Sequence, residues 1–240
     1  ELSAACDGFG SSGAVVIPRG EGLTPLQEFE RKKILILAFA VLFVRYVVAT
    51  FLSAFFPQVC HTQGISGTSV GVIFAAYPLG MAITSTLSPL FIVRWGARTS
   101  VTVGLLFCAL STALFGMVPT FISESDVVSL RAWYAIVYFA NGLLGGLADT
   151  GVIIIVSAKF RDKLGVVFAS IGTVCGVGCM LGPLVGAGLY SFENLSPAWR
   201  FRLPFFLTAL FPLVLMLACM CILSKDEGKA NDEDEEGGGR

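Results

Sequence analysis

The sequence predicts an all-α membrane protein with six transmembrane helices, and three observations lead there. Six long apolar stretches, at residues 34–57, 69–93, 100–120, 133–156, 166–190 and 203–223, are separated by short polar connectors. Each reaches the roughly 20 mostly apolar residues that a helix needs to cross a bilayer. Mean hydropathy is +0.80 and only 14% of residues are charged, which is more apolar surface than a water-soluble domain of this length can hide. The stretches are apolar all round rather than short and alternating, so helices and not barrel strands satisfy the backbone inside lipid.

Net charge is −1, but the charges are segregated. Twelve Lys and Arg fall before the first stretch, in the second-to-third and fourth-to-fifth connectors and after the sixth stretch; only Arg131, Arg200 and Arg202 fall on the other side. Positive residues favour the cytoplasmic face, so both termini are expected there. Residues 1–32 are rich in Gly, Ser and Pro without an apolar run and read as a mostly disordered segment, with 27–33 able to form a short interfacial helix. They lack the apolar core of a signal peptide. The bundle occupies 33–224, and 225–240 (KDEGKANDEDEEGGGR) reads as an acidic, solvated tail or the start of a longer loop.

The first stretch carries Arg45 at its middle, in VLFVRYVVAT. A charge at mid-bilayer costs roughly 2.5–3.5 kcal/mol on insertion scales, so it marks a functional position. The second stretch carries Tyr77, which faces either a cavity or lipid. Its connector to the third holds Arg94, Gly96 and Arg98. The third stretch carries Cys108, which reads as a small apolar packing residue. The fourth carries Tyr134, Tyr138, Asn141 and Asp149. Tyr138 and Asn141 are three apart on one helix face and could offer hydrogen bonds to a solute. Asp149 lies about four residues past the middle of its stretch, roughly 6 Å by helix rise and within reach of a long arginine. An Arg45–Asp149 pair is therefore expected.

In the fifth stretch Gly178, Gly182 and Gly186 recur every four residues along one face, where they let two membrane helices approach closely. Pro183 is expected to bend that helix. The sixth stretch adds Cys219 and Cys221. Cys175 and Cys179 sit one turn apart, but no histidine lies near, so packing is preferred to a metal site and no cofactor is expected. His61, the only histidine, reads as an exposed loop residue beyond the first stretch. There is no GxxxxGK[ST] loop and no catalytic triad, so neither a self-powered ATPase pump nor an enzyme is expected.

The run GVGCMLGPLVGAG resembles the GxxxGPxxGG antiporter motif of the major facilitator superfamily, with Gly178, Gly182, Pro183 and Gly186 matching and Ala187 at the last glycine. SPLFIVRWGARTSVTVGL is similar to that superfamily's motif A, GxLaDRxGRR. Arg94, Gly96 and Arg98 fit its basic turn, with Val93 at the acidic position and Ala97 at one basic position. NGLLGG, Asn141 to Gly146, resembles motif B with Tyr138 at its arginine. FFPQ followed by SxTxVGxIFAAYPLG looks most like the vesicular amine and polyamine branch.

The resemblance covers about residues 33–224, one six-helix half of a twelve-helix transporter. It implies a half-bundle of two inverted three-helix repeats and a secondary active, proton-coupled, alternating-access transporter of a small organic solute. The second six-helix half would come from the same polypeptide or from a dimer partner. The bilayer and the solute are the other expected partners; nucleic acid is not. Arg45, Asp149, Tyr138 and Asn141 would line the solute and proton pathway, while Arg94, Gly96, Arg98 and the helix-five Gly and Pro residues would serve gating. Asp149 would take up a proton when its pairing breaks, leaving Arg45 to bind an anionic group or hold the resting state. Arg45 stands where amine carriers usually bear an acid, which speaks against a simple cation site. A structural subunit that keeps the half-fold without transport is the alternative.

Overall fold

The computed structural model describes residues 25–122, 126–191 and 196–237. Its order is α1 (Pro25–Thr50), a 3-10 turn (Phe51–Ala54), α2 (Phe56–Thr62), α3 (Gly67–Trp95), α4 (Ala97–Phe121), α5 (Val127–Lys159), a 3-10 turn (Arg161–Lys163), α6 (Leu164–Tyr190) and α7 (Pro197–Gly237). Six of these segments, counting α1 and α2 as one, are long and apolar enough to cross a membrane. Among the described residues there is no strand.

One predicted element differs. The first apolar stretch is not a continuous helix: α1 ends at Thr50 and tightens into the 3-10 turn before α2 resumes. The cause is local. Pro57 sits in the first turn of α2 and has no N–H to give to the preceding turn. Thr50 and Ser53 turn their hydroxyls back onto the carbonyls of Tyr46 and Thr50 at 2.9 and 2.7 Å. His61 then lies in α2 rather than in a loop, and it is exposed.

At the amino end α1 begins at Pro25, so residues 27–33 are its first turns; the predicted disorder of residues 1–24 lies outside the described residues. At the carboxyl end the α7 backbone runs on through Gly237, into the acidic segment, and residues 238–240 lie outside.

The connectors are short and capped. Gly96 ends α3 and opens α4 with a φ of 81°, a left-handed backbone that suits glycine. Ser66 accepts the Ser69 N–H at 3.4 Å to start α3, and Asp126 accepts the Ser129 N–H at 3.1 Å to start α5. Pro183 lies inside α6, which passes it without a break.

α5 packs along α3 on one side and α4 on the other; α4 also packs along α7, and α1 along α6 and α5. The core has two tiers. At the α1–α2 junction end it is aromatic, with Phe51, Phe55, Phe56, Phe115, Tyr134 and Phe205 in edge and stacked contacts. At the end carrying the basic connectors it is aliphatic, built on Leu37, Val41, Leu105, Val152 and Val156. A buried polar layer lies between the tiers.

Candidate functional site

That layer is centred on Arg45, 1% exposed, in the middle of α1. Its Nε and Nη2 donate to the two carboxylate oxygens of Asp149 at 3.1 and 3.2 Å. This is the fork-on-fork geometry in which a guanidinium holds a carboxylate most firmly. Nη1 is occupied as well, with the Cys108 sulfur at 3.1 Å and the Asn141 Oδ1 at 3.4 Å. Asn141 passes the network on: its Nδ2 donates to Thr112 Oγ1 at 3.0 Å, and that hydroxyl donates to the Cys108 carbonyl at 2.7 Å. The Tyr77 ring lies 5.8 Å from the guanidinium carbon. The two partners are unequally enclosed: the Arg45 side chain is fully buried, and the Asp149 side chain is 11% exposed.

The α5 sequence makes room for this arrangement. A Cβ on Gly145 would run into the guanidinium, with its carbon at 2.7 Å, so only glycine lets Arg45 lie flat on the helix. A Cβ on Gly142 would meet the Tyr77 backbone, and one on Gly80 would meet Phe139 O at 2.5 Å, so α3 and α5 touch backbone to backbone. Thr84 bonds the Leu143 carbonyl across the same seam.

Tyr138 lies in the layer without a hydrogen bond to the ion pair. Its hydroxyl donates to the Ala49 carbonyl at 2.6 Å, where α1 is about to tighten, and its ring rests on Tyr77 at 5.1 Å. Gly178, Gly182 and Gly186 form the buried edge of α6 against α1, where added Cβ atoms would meet Phe43 O at 2.9 Å, Val47 O at 2.9 Å and the Phe51 carbonyl. Pro183 sits beside them. In the α3–α4 connector Arg94 is exposed, and Arg98 donates through Nη2 to the Met220 carbonyl of α7 at 3.3 Å. The structure thus gathers Arg45, Asp149 and Asn141 into one network. It puts Tyr138 beside that network, the α6 glycines on a separate seam, and the α3–α4 turn at the basic end.

Sequence reasoning missed Cys108, Thr112 and Gly145. A signal existed for each: Cys108 and Thr112 are four apart in one stretch, and Asn141, Gly145 and Asp149 recur every four residues along one α5 face. At the basic end a second pair joins α1 to the α5–α6 connection. Arg31 contacts Asp162 at 2.5 Å and lies 4.6 Å over the Phe160 ring.

Comparison with known proteins gives this geometry a setting. The family model described as Major Facilitator Superfamily matches residues 34–240. Multidrug resistance protein 1 of Bacillus subtilis (strain 168) is 29% identical over 181 residues, covering 75% of this chain and 42% of that protein. MFS-type transporter SLC18B1 of Rattus norvegicus is 25% identical over 182 residues, covering 76% of this chain and 38% of the relative. Protein ZINC INDUCED FACILITATOR 1 of Arabidopsis thaliana is 26% identical over 175 residues, covering 68% and 34%. The chain therefore spans less than half the length of these relatives.

Proposed function

We propose a function from one premise: the chain belongs to the major facilitator superfamily, and it is an integral, multi-pass membrane protein of that family. Its role is secondary active transport of a small organic solute, coupled to protons by alternating access, with these six helices as one half of the transport unit. The second six-helix half is supplied by the same polypeptide or by a dimer partner. The basic end, with Arg94, Arg98, Lys159 and Lys163, faces the cytoplasm, and both termini lie there.

The observation that carries this reading is the bidentate Arg45–Asp149 pair, enclosed between α1 and α5 at mid-bundle. An ion pair in such a place is costly to bury and must stay paired, so opening it needs a proton or a solute charge as replacement. Tyr138 and Asn141 line the same pathway. Gly178, Gly182, Pro183 and Gly186 form a smooth seam on which α6 rocks against α1. Gly96, Arg94 and Arg98 form a basic turn that Arg98 ties to α7, where it can gate the cytoplasmic end.

Proteoliposomes holding the native protein test the reading. A pH gradient should drive solute flux, and Asp149→Asn should remove the pH dependence. Flux with unchanged pH dependence in that variant refutes the proton role.

A second reading has its own observation. Val93, a neutral residue at the acidic position of the basic turn, is 89% exposed, and Tyr138 stands at the arginine position of the second motif. This favours a structural membrane subunit that kept the fold without transport. A permanent partner in purified complexes with no flux would support it, and proton-driven flux would exclude it.

A further inference from the structure

We propose that the solute recognised at this site is an organic monocarboxylate, which takes the place of Asp149 on Arg45 while Asp149 carries one proton. The inference rests on the transport reading above and adds the substrate's charge and the stoichiometry.

The reasoning is charge conservation in an enclosed space. Arg45 is buried to 1% exposure on a glycine cradle that fixes its plane, and a guanidinium does not give up its proton in a protein. The cation is therefore permanent. Its Nη1 edge is held from inside the bundle by Cys108 and Asn141, and its Nε–Nη2 edge carries the Asp149 carboxylate. That carboxylate belongs to the more exposed partner, at 11% against 0%. The exchangeable member is thus the anion, and the edge it vacates is a planar fork shaped for another carboxylate.

Three occupied states can then be compared. An amine bound to Asp149 would pull the carboxylate from Arg45 and leave a buried cation unpaired, a costly state. An anion bound to Arg45 while Asp149 stays ionised would place two negative charges against one positive. A monocarboxylate with a protonated Asp149 leaves the site as neutral as it began. In balance, Asp149 carboxylate plus H⁺ gives the carboxylic acid, and the solute carboxylate accepts the two N–H bonds released. No covalent bond is made or broken.

The groups around the pair do not disturb this balance. Tyr46 on α1, Tyr77 on α3, Cys108 on α4, Tyr138 on α5 and Cys175 on α6 are titratable side chains around it, and all are neutral in their ordinary forms. Among the described residues the site therefore holds one fixed cation and one carboxylate that can be neutralised.

Calorimetry on the purified native protein tests the proposal, using lactate, benzoate and gluconate as carboxylates and choline and spermidine as amines. Titrations in buffers of different ionisation enthalpy count the protons exchanged. The expected result is carboxylate binding with uptake of about one proton per anion, and an affinity falling about tenfold per pH unit once Asp149 is ionised. Asp149→Asn should bind carboxylates more tightly, without proton uptake and without that pH slope. Carboxylate binding without proton uptake in the native protein overturns the proposal, as does amine binding that depends on Asp149. So does failure of all three carboxylates to bind both the native protein and a folded Asp149→Asn. Amine flux without carboxylate binding would sink this inference and leave transport standing. Carboxylate binding without flux of any solute would sink the transport reading alone.

Discussion

Two Arg–Asp pairs tie α1 to the α5–α6 half of the bundle, and their chemistry is the same while their surroundings are opposite. Arg45 and Asp149 meet in the polar layer with side chains 0% and 11% exposed; Arg31 and Asp162 meet at the basic end with side chains 18% and 51% exposed. At the mouth, water and salt screen the attraction, and a severed pair is rehydrated at once. In the middle the guanidinium is fully enclosed, so losing Asp149 would leave a buried cation without its counter-charge. The contrast teaches that the inner pair is a device whose charge state must be managed, whereas the outer one is a local clasp.

The sharpest way to break the comparison is to remove one inner partner. Asp149→Ala should lower stability by about 3–5 kcal/mol, read as a large loss of thermal or denaturant resistance in detergent, because Arg45 is left buried and alone. Replacing both, as Arg45→Met with Asp149→Leu, should recover most of that loss while abolishing proton-dependent flux. A double variant as unstable as Asp149→Ala would show that shape, and not charge, is what the pair provides.

A smaller effect is expected at the cradle. Gly145→Ala puts a methyl group into the guanidinium and should cost about 1–3 kcal/mol, as overpacking does in a tight interior, with pH-dependent flux reduced alongside. Smaller again, Cys108→Ser keeps an acceptor for Nη1 and should stay within about 1 kcal/mol of the native protein, while Cys108→Ala should lose roughly that amount. Smallest is the outer pair. Arg31→Ala or Asp162→Asn should leave the melting midpoint almost unchanged at high salt and lower it marginally at low salt. A large, salt-independent loss there would erase the distinction between the pairs.

The six helices are legible in the sequence because lipid demands long apolar runs, and nothing else in the chain produces them. Arg45 and Asp149 are legible for a related reason: ionisable residues inside such runs are rare enough to stand out. The α6 glycines announce their seam by spacing alone, but their partner, α1, is settled only by packing. Cys108, Thr112 and Gly145 are harder to see. Each is unremarkable in composition, and its place beside Arg45 depends on how α4 and α5 are rotated about their axes, which no single helix determines. The break at Thr50 is hidden because the residues on either side of it are as apolar as a continuous helix would require, and only Pro57 hints at the lost hydrogen bond.

The 104 residues separating Arg45 from Asp149 also set an order of events during synthesis. At roughly 5–20 residues per second, Arg45 leaves the ribosome about 5–20 seconds before its carboxylate does. Through that interval α1 has to be held in the insertion machinery or at the bilayer rim with an uncompensated cation. Chains cut just before α5 should accordingly remain associated with the translocon or be degraded, whereas chains cut just after it should be released into the lipid.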